Sequence, residues 1–204
     1  MSQANAANGN LIAAHDQILY FPKGGEPSLA PNEWLIWNGS QDEGANSTLP
    51  DLDCGKHKVL VPFSWWLSHI NSHHHEADIQ ALANNGQIGV WFAADDDILK
   101  HADVIEAGKK IWSLMAAHFP IFRDGRSFST AALLRNRFAW EGEIRAIGDV
   151  LIDQLLQGAR VGFDSFALRP DQNLDVALKQ FDLFTVTTQN SWRSIRTTRA
   201  TLSV

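Results

Sequence analysis

Two polar junctions near the middle of the chain carry residue types that chemistry can use. One is Arg123-Asp124-Gly125-Arg126-Ser127 and the other is Gly148-Asp149, each directly after an apolar run. In parallel α/β sheets the ligand crevice opens outside the carboxyl ends of the strands. Arginine presents a planar fork that matches anions bidentately, and Gly125 permits a turn at positive φ. A phosphate or sulfo group is therefore expected near Arg126, with Ser127 or Ser129 capping the helix that follows. Asp149 is expected to N-cap the helix after Gly148, filling that cap with its own carboxylate. Asp153 and Gln154 lie one turn further on, within reach of the same crevice. Arg145 stands apart. It falls inside a strand that should be buried on both faces, where an unpaired guanidinium is very costly. It must meet a carboxylate or a wet cavity, and it is the strongest single pointer to function. Asp124, Gly125, Arg126, Arg145, Gly148, Asp149, Asp153 and Gln154 form the candidate site. Turn, cap and solvated-face duties are the structural alternatives for its aspartates.

Other clusters carry weaker signals. His69 and His73 are four apart and His73-His74-His75 is a run, but neighbouring helical residues diverge instead of converging on a metal. Asp95-Asp96-Asp97 follows an apolar run, where consecutive acids usually serve loops and caps. The eight tryptophans lie mostly in or beside apolar runs and suit a core. No GxGxxG, P-loop or HExxH pattern occurs. Cys54 is the only cysteine, so an internal disulfide or a Cys-x-x-Cys pair is excluded. The net charge of −6 argues against nucleic acid as a partner. With no signal-peptide pattern and no long apolar run, a cytoplasmic protein without a membrane partner is expected.

The elements that must position these residues follow from the alternation of apolar runs. The chain has 204 residues, enough for one domain with a full core. Residues 1–16 read as a flexible leader. Residues 17–58 read as an N-terminal β element, an antiparallel pair of runs at 17–21 and 33–37 joined by a long turn, followed by a polar loop. From 59 to 189 short apolar runs at 59–63, 88–93, 109–119, 144–147, 165–168 and 184–187 alternate with helical patterns. The helices are expected from Ser64 onward and at 78–84, 98–108, 128–138, 149–160 and 174–181. Such alternation implies βα units, hence an open parallel sheet or a partial barrel. There are too few units for the eight-fold barrel of ~250 residues. Residues 190–204 form a basic tail with Arg193, Arg196 and Arg199, either a last edge strand or a loose extension.

The stretch FPIFRDGRSFSTAALLRNRFAWEGEIRAIGDVLIDQL, followed by RVGFDSFAL, resembles a bacterial domain of unknown function, family 934. The motifs that carry the resemblance are DGR, LLR, GE-x-RA-x-GDVL-x-DQL and GFD-x-F, with VLVPFSWWL and GVWFAADDD earlier in the chain. Ile152 stands where the family usually has a basic residue, and Arg160-Val161 where Arg-Cys is frequent. Members are commonly described as probable oxidoreductases of assimilatory sulfite reduction. The resemblance thus implies a pathway, without a reaction, a cofactor or catalytic residues. Two readings follow. One is an accessory protein that binds an anion or a partner such as sulfite reductase or another sulfur-assimilation enzyme. The alternative is an oxidoreductase with a loosely bound flavin or nicotinamide cofactor.

Overall fold

A computed structural model describes residues 11–39, 58–70, 76–183 and 191–193. Five parallel strands form its centre: β4 (Lys58–Pro62), β5 (Ile88–Phe92), β6 (Leu114–Phe119), β7 (Glu143–Gly148) and β8 (Ser165–Phe166). Each pairs in parallel with the next in sequence. Helices α1 (Phe63–Ile70) and α2 (Glu76–Asn84) lie between β4 and β5 along the chain. Then α3 (Ala102–Gly108), α4 (Arg126–Asn136) and α5 (Leu155–Val161) fill the later crossovers, and α6 (Leu174–Leu178) follows β8. Consecutive crossovers of one hand place every helix on the same face of the sheet. The packing shows this as two cores. One joins strand residues Val61, Val90, Ala117 and Ala146 to the helical residues Ile105, Leu134 and Leu155. The other holds residues of the strands and the segments that continue them, among them Ile18, Trp34, Leu60, Trp91, Ala116 and Ile147. Alternate residues of each strand serve each core, so strands covered on both faces read as unbroken apolar runs.

The N-terminal strands give the sheet its shape. The strand order is β2-β1-β8-β7-β6-β5-β4-β3, with β1 at Gln17–Tyr20, β2 at Ser28–Pro31 and β3 at Trp34–Ile36. β2 and β3 stand at opposite edges, yet only Asn32 and Glu33 separate them. Three Cα steps reach at most about 11 Å, so the open sheet must curl into a half-barrel whose edges approach. One hairpin register runs through both edges without a slip. It includes Tyr20 opposite Ser28 and Gln17 opposite Pro31, and it continues through the Asn32 N–H to Asp16 O bond to a bridge between Leu11 and Trp37. On one side β1 pairs antiparallel with β8, and on the other β3 pairs parallel with β4.

The α/β class, the curled parallel sheet and the antiparallel N-terminal element agree with the sequence. The partners within that element differ. The run at 33–37 does not pair with β1. It joins β4, and β1 pairs with Ser28–Pro31, which lies in the segment expected to be a turn. The helix expected over 149–160 is also different: a 3-10 turn at Ile152–Gln154 precedes α5. The expected strand at 184–187, Cys54 and the His73-His74-His75 run lie outside the described residues. Among the described residues no helix is long and apolar enough to cross a membrane.

Candidate functional site

The carboxyl ends of β5 to β8 carry a crown of loops in which Asp124, Asp149 and Gln154 bond to neighbouring groups of the same loops. After β6 the chain turns through Ile121–Asp124 into α4. Phe122 is held there by both backbone polar groups: its N–H donates to Asp149 Oδ2 at 2.9 Å, and its carbonyl accepts from Gln154 Nε2 at 2.7 Å. Gln154 Oε1 also accepts from the Leu151 N–H at 2.9 Å. Asp149 Oδ1 accepts from Arg169 Nη1 at 2.7 Å, so it is no helix N-cap. Its carboxylate links the loops that follow β6 and β8. Arg169 forks onto Asp171 as well, at 2.6 and 2.8 Å, and that bonding holds the Asp171 carboxyl down to about 2. Despite the clamped backbone, Ile121 and Phe122 are 39% and 46% exposed.

The candidate residues divide into three groups. Asp124, Gly125, Arg126, Gly148, Asp149 and Gln154 gather in the crown. Arg126 forms a fork with Asp124, its Nη2 at 2.7 Å and its Nε at 3.0 Å. That hydrogen bonding draws the Asp124 carboxyl down to about 2, so the fork expected to face an anion already faces a carboxylate. Gly125 caps α4 at φ −85° instead of at positive φ, and a Cβ there would meet only ordinary contact. Ser127 does not cap α4; its hydroxyl donates to the His118 carbonyl. Asp153 points to solvent.

Arg145 lies deeper, on the inner face of β7, and is 2% exposed. It does meet a carboxylate. Its Nη2 donates to Glu143 Oε1 at 2.7 Å and its Nε to Ser165 Oγ at 3.0 Å. Ser165 in turn donates to Glu143, and Arg145 Nη1 reaches Asn32 Oδ1 at 3.3 Å. Burial and charge are thereby satisfied inside the protein, so Arg145 is a tie across the half-barrel. A second buried tie joins α4 to the start of β8. Arg135 directs its donors at the carbonyls of Trp140, Gly142 and Gly162 and at Asp164. Gly162 sits at φ +124°, where a Cβ would strike Arg135 Cγ at 2.5 Å.

Sequence reasoning passed over His118. It lies on the inner face of β6 at its carboxyl end, with the Trp91 ring 5.1 Å away. Among the described residues neither ring nitrogen has a hydrogen-bond partner, and neither is sealed from solvent. Burial pushes its pKa below the ordinary imidazole range, leaving a neutral ring with one donor and one acceptor at pH 7. Gly148 makes room for it: at φ +91°, a Cβ would lie 2.6 Å from the His118 ring and 2.5 Å from the Phe119 carbonyl. The alternation Ala116, His118 is the signal that could have found it, because it puts a histidine on the inner face at a strand end. Asp96 accepts from the Ala93 N–H at 2.7 Å, which is loop chemistry, and no group of three metal-ligating side chains forms among the described residues.

A family model described as a bacterial protein of unknown function, DUF934, matches residues 89–198. No curated protein and no solved structure matches the chain.

Proposed function

This chain belongs to the bacterial family of unknown function DUF934, and on that premise we propose that it is an accessory protein of assimilatory sulfite reduction that works by binding a partner enzyme. The pathway is the one the motif resemblance implies. The binding role rests on one observation: Asp149 and Gln154 fix the backbone of Phe122 while its side chain stands in water. A fixed backbone beneath an exposed apolar side chain lowers the ordering cost of association and suits an interface anchor. The anion-binding version of the reading has less support, because Arg126, Arg145 and Arg169 each face a carboxylate.

The test is growth of a deletion strain. Sulfate as sole sulfur source should fail to support it, cysteine should restore growth, and the intact gene should complement it. Full growth of the deletion strain on sulfate would sink the pathway reading.

A second reading, an oxidoreductase with a loosely bound flavin or nicotinamide, is favoured by His118 alone, an imidazole at the strand ends with no hydrogen-bond partner among the described residues. An absorbance scan of purified protein decides its flavin form. A flavin band near stoichiometric occupancy would replace the accessory reading with this one.

A further inference from the structure

We infer that Ile121, Phe122 and Arg123 form a docking ridge whose occupant is a partner-protein groove with apolar walls and a carboxylate at its rim. The inference rests on the partner-binding reading above and specifies the chemistry of that partner. Ile121 and Phe122 are two of the five large hydrophobic side chains exposed among the described residues, and they are adjacent. Their loop is tied to the neighbouring strand-end segment by two side chain-to-backbone bonds. A loop needing only to connect β6 to α4 has no use for an apolar tip held so firmly.

Charge selects the occupant. The exposed Arg123 follows the apolar pair directly, and Arg126, three residues on, is matched by Asp124, so the charge that the loop offers outward is that of Arg123. An exposed guanidinium beside an apolar tip matches an acidic group at the rim of a pocket. A second copy of this chain fits poorly: a two-fold contact through the ridge would set Arg123 against Arg123. A lipid surface fits poorly too, since two apolar side chains are a smaller anchor than a single myristoyl chain, which itself binds membranes only marginally.

The test is photocross-linking in cells with full-length Phe122→p-benzoylphenylalanine, and with Ile121→p-benzoylphenylalanine as a second variant. The expected product is one identified protein, cross-linked through a peptide bearing apolar residues and Asp or Glu. Arg123→Glu should lower the yield several-fold, and a Lys in place of the partner's acidic residue should restore it. Cross-linking to this chain itself, to lipid, or to nothing while both variants remain folded overturns the ridge. So does a yield indifferent to Arg123→Glu. A charge-swapped partner outside sulfur assimilation would leave the ridge standing and remove the pathway.

Discussion

Arg145 and Asn32 are 113 residues apart in sequence, and the Arg145 guanidinium donates to the Asn32 side-chain oxygen at 3.3 Å. Asn32 is the corner between β2 and β3, the two edges of the curled sheet. Its Nδ2 donates to the His15 carbonyl at 3.3 Å, and its Oδ1 also accepts from the Trp34 N–H at 3.4 Å. Arg145 therefore fastens the middle of the parallel sheet to the hairpin that joins its edges. The Glu143 carboxylate meets the charge that this fastening buries.

Arg145→Ala should accordingly lower stability by about 3–5 kcal/mol, because Glu143 is left uncompensated. Glu143→Gln combined with Arg145→Ala should recover part of that loss. Urea unfolding of the two variants measures both effects. A loss under about 1 kcal/mol for the single variant would remove the tie from the account of the fold.

Half of this tie was legible in advance. A charged residue inside an apolar run demands a carboxylate, and residues 143 and 145 share a face because strands alternate. The other half was not. Asn32 sits among proline and small residues that read as a turn, and only tertiary pairing with β1 makes Ser28–Pro31 a strand. Asp149 was misplaced for a related reason. Its position after a glycine looks like a cap, but the helix starts later and the carboxylate reaches Phe122 and Arg169 instead. Arg135 and Asp164 belong to separate motifs, LLR and GFD, and nothing local signals that they meet.

Gly148 is a sharp test of the strand-end geometry. Alanine there must adopt φ near +91° and press on both the Phe119 carbonyl and the His118 ring. The backbone strain alone is of order 1–3 kcal/mol, and the carbonyl has little room to move. Gly148→Ala should cost at least ~3 kcal/mol in thermal or urea unfolding once both effects combine. A neutral result would mean that the turn relaxes to another conformation.

His118 gives a pH dependence of known sign. Its folded pKa lies below the ordinary imidazole value because burial disfavours the charged ring. As pH falls from neutral, the unfolded chain takes up the proton first, near pH 6.5, so His118 lowers stability there until the folded pKa is passed. His118→Gln should flatten the stability curve as pH falls below about 7 relative to the parent. Titration of the His118 ring protons by NMR gives a direct check, and a midpoint at or above the ordinary value would contradict the burial argument.

The tail residues Trp192 and Arg193 cap α5 from outside. The Trp192 N–H donates to the Arg160 carbonyl at 2.9 Å and Arg193 Nε to the Ala159 carbonyl at 3.0 Å, where a helix end otherwise leaves carbonyls unpaired. The Trp192 ring also lies 4.0 Å over the Arg135 guanidinium. This fits neither an edge strand nor a loose extension for these two residues. Arg193→Ala should cost about 1.5–3 kcal/mol, the range for hydrogen bonds to a charged group. Unchanged thermal unfolding would show that the cap carries no weight.

Asp149→Asn separates order in the crown from stability of the fold. The change keeps the shape of the side chain and removes the charge that holds Arg169 and supports the Phe122 N–H bond. Arg169 retains Asp171, and the pair with Asp149 is partly exposed, so the global loss should stay near ~1 kcal/mol. The loop at 121–124 should respond more. Its amides should exchange with deuterium faster than in the parent, while those of β6 and β7, in the buried sheet, should not change. Equal acceleration across the sheet would mean that Asp149 supports the whole fold and not this loop. No acceleration at 121–124 would mean that Gln154 alone fixes Phe122, and the clamp would then be a single bond.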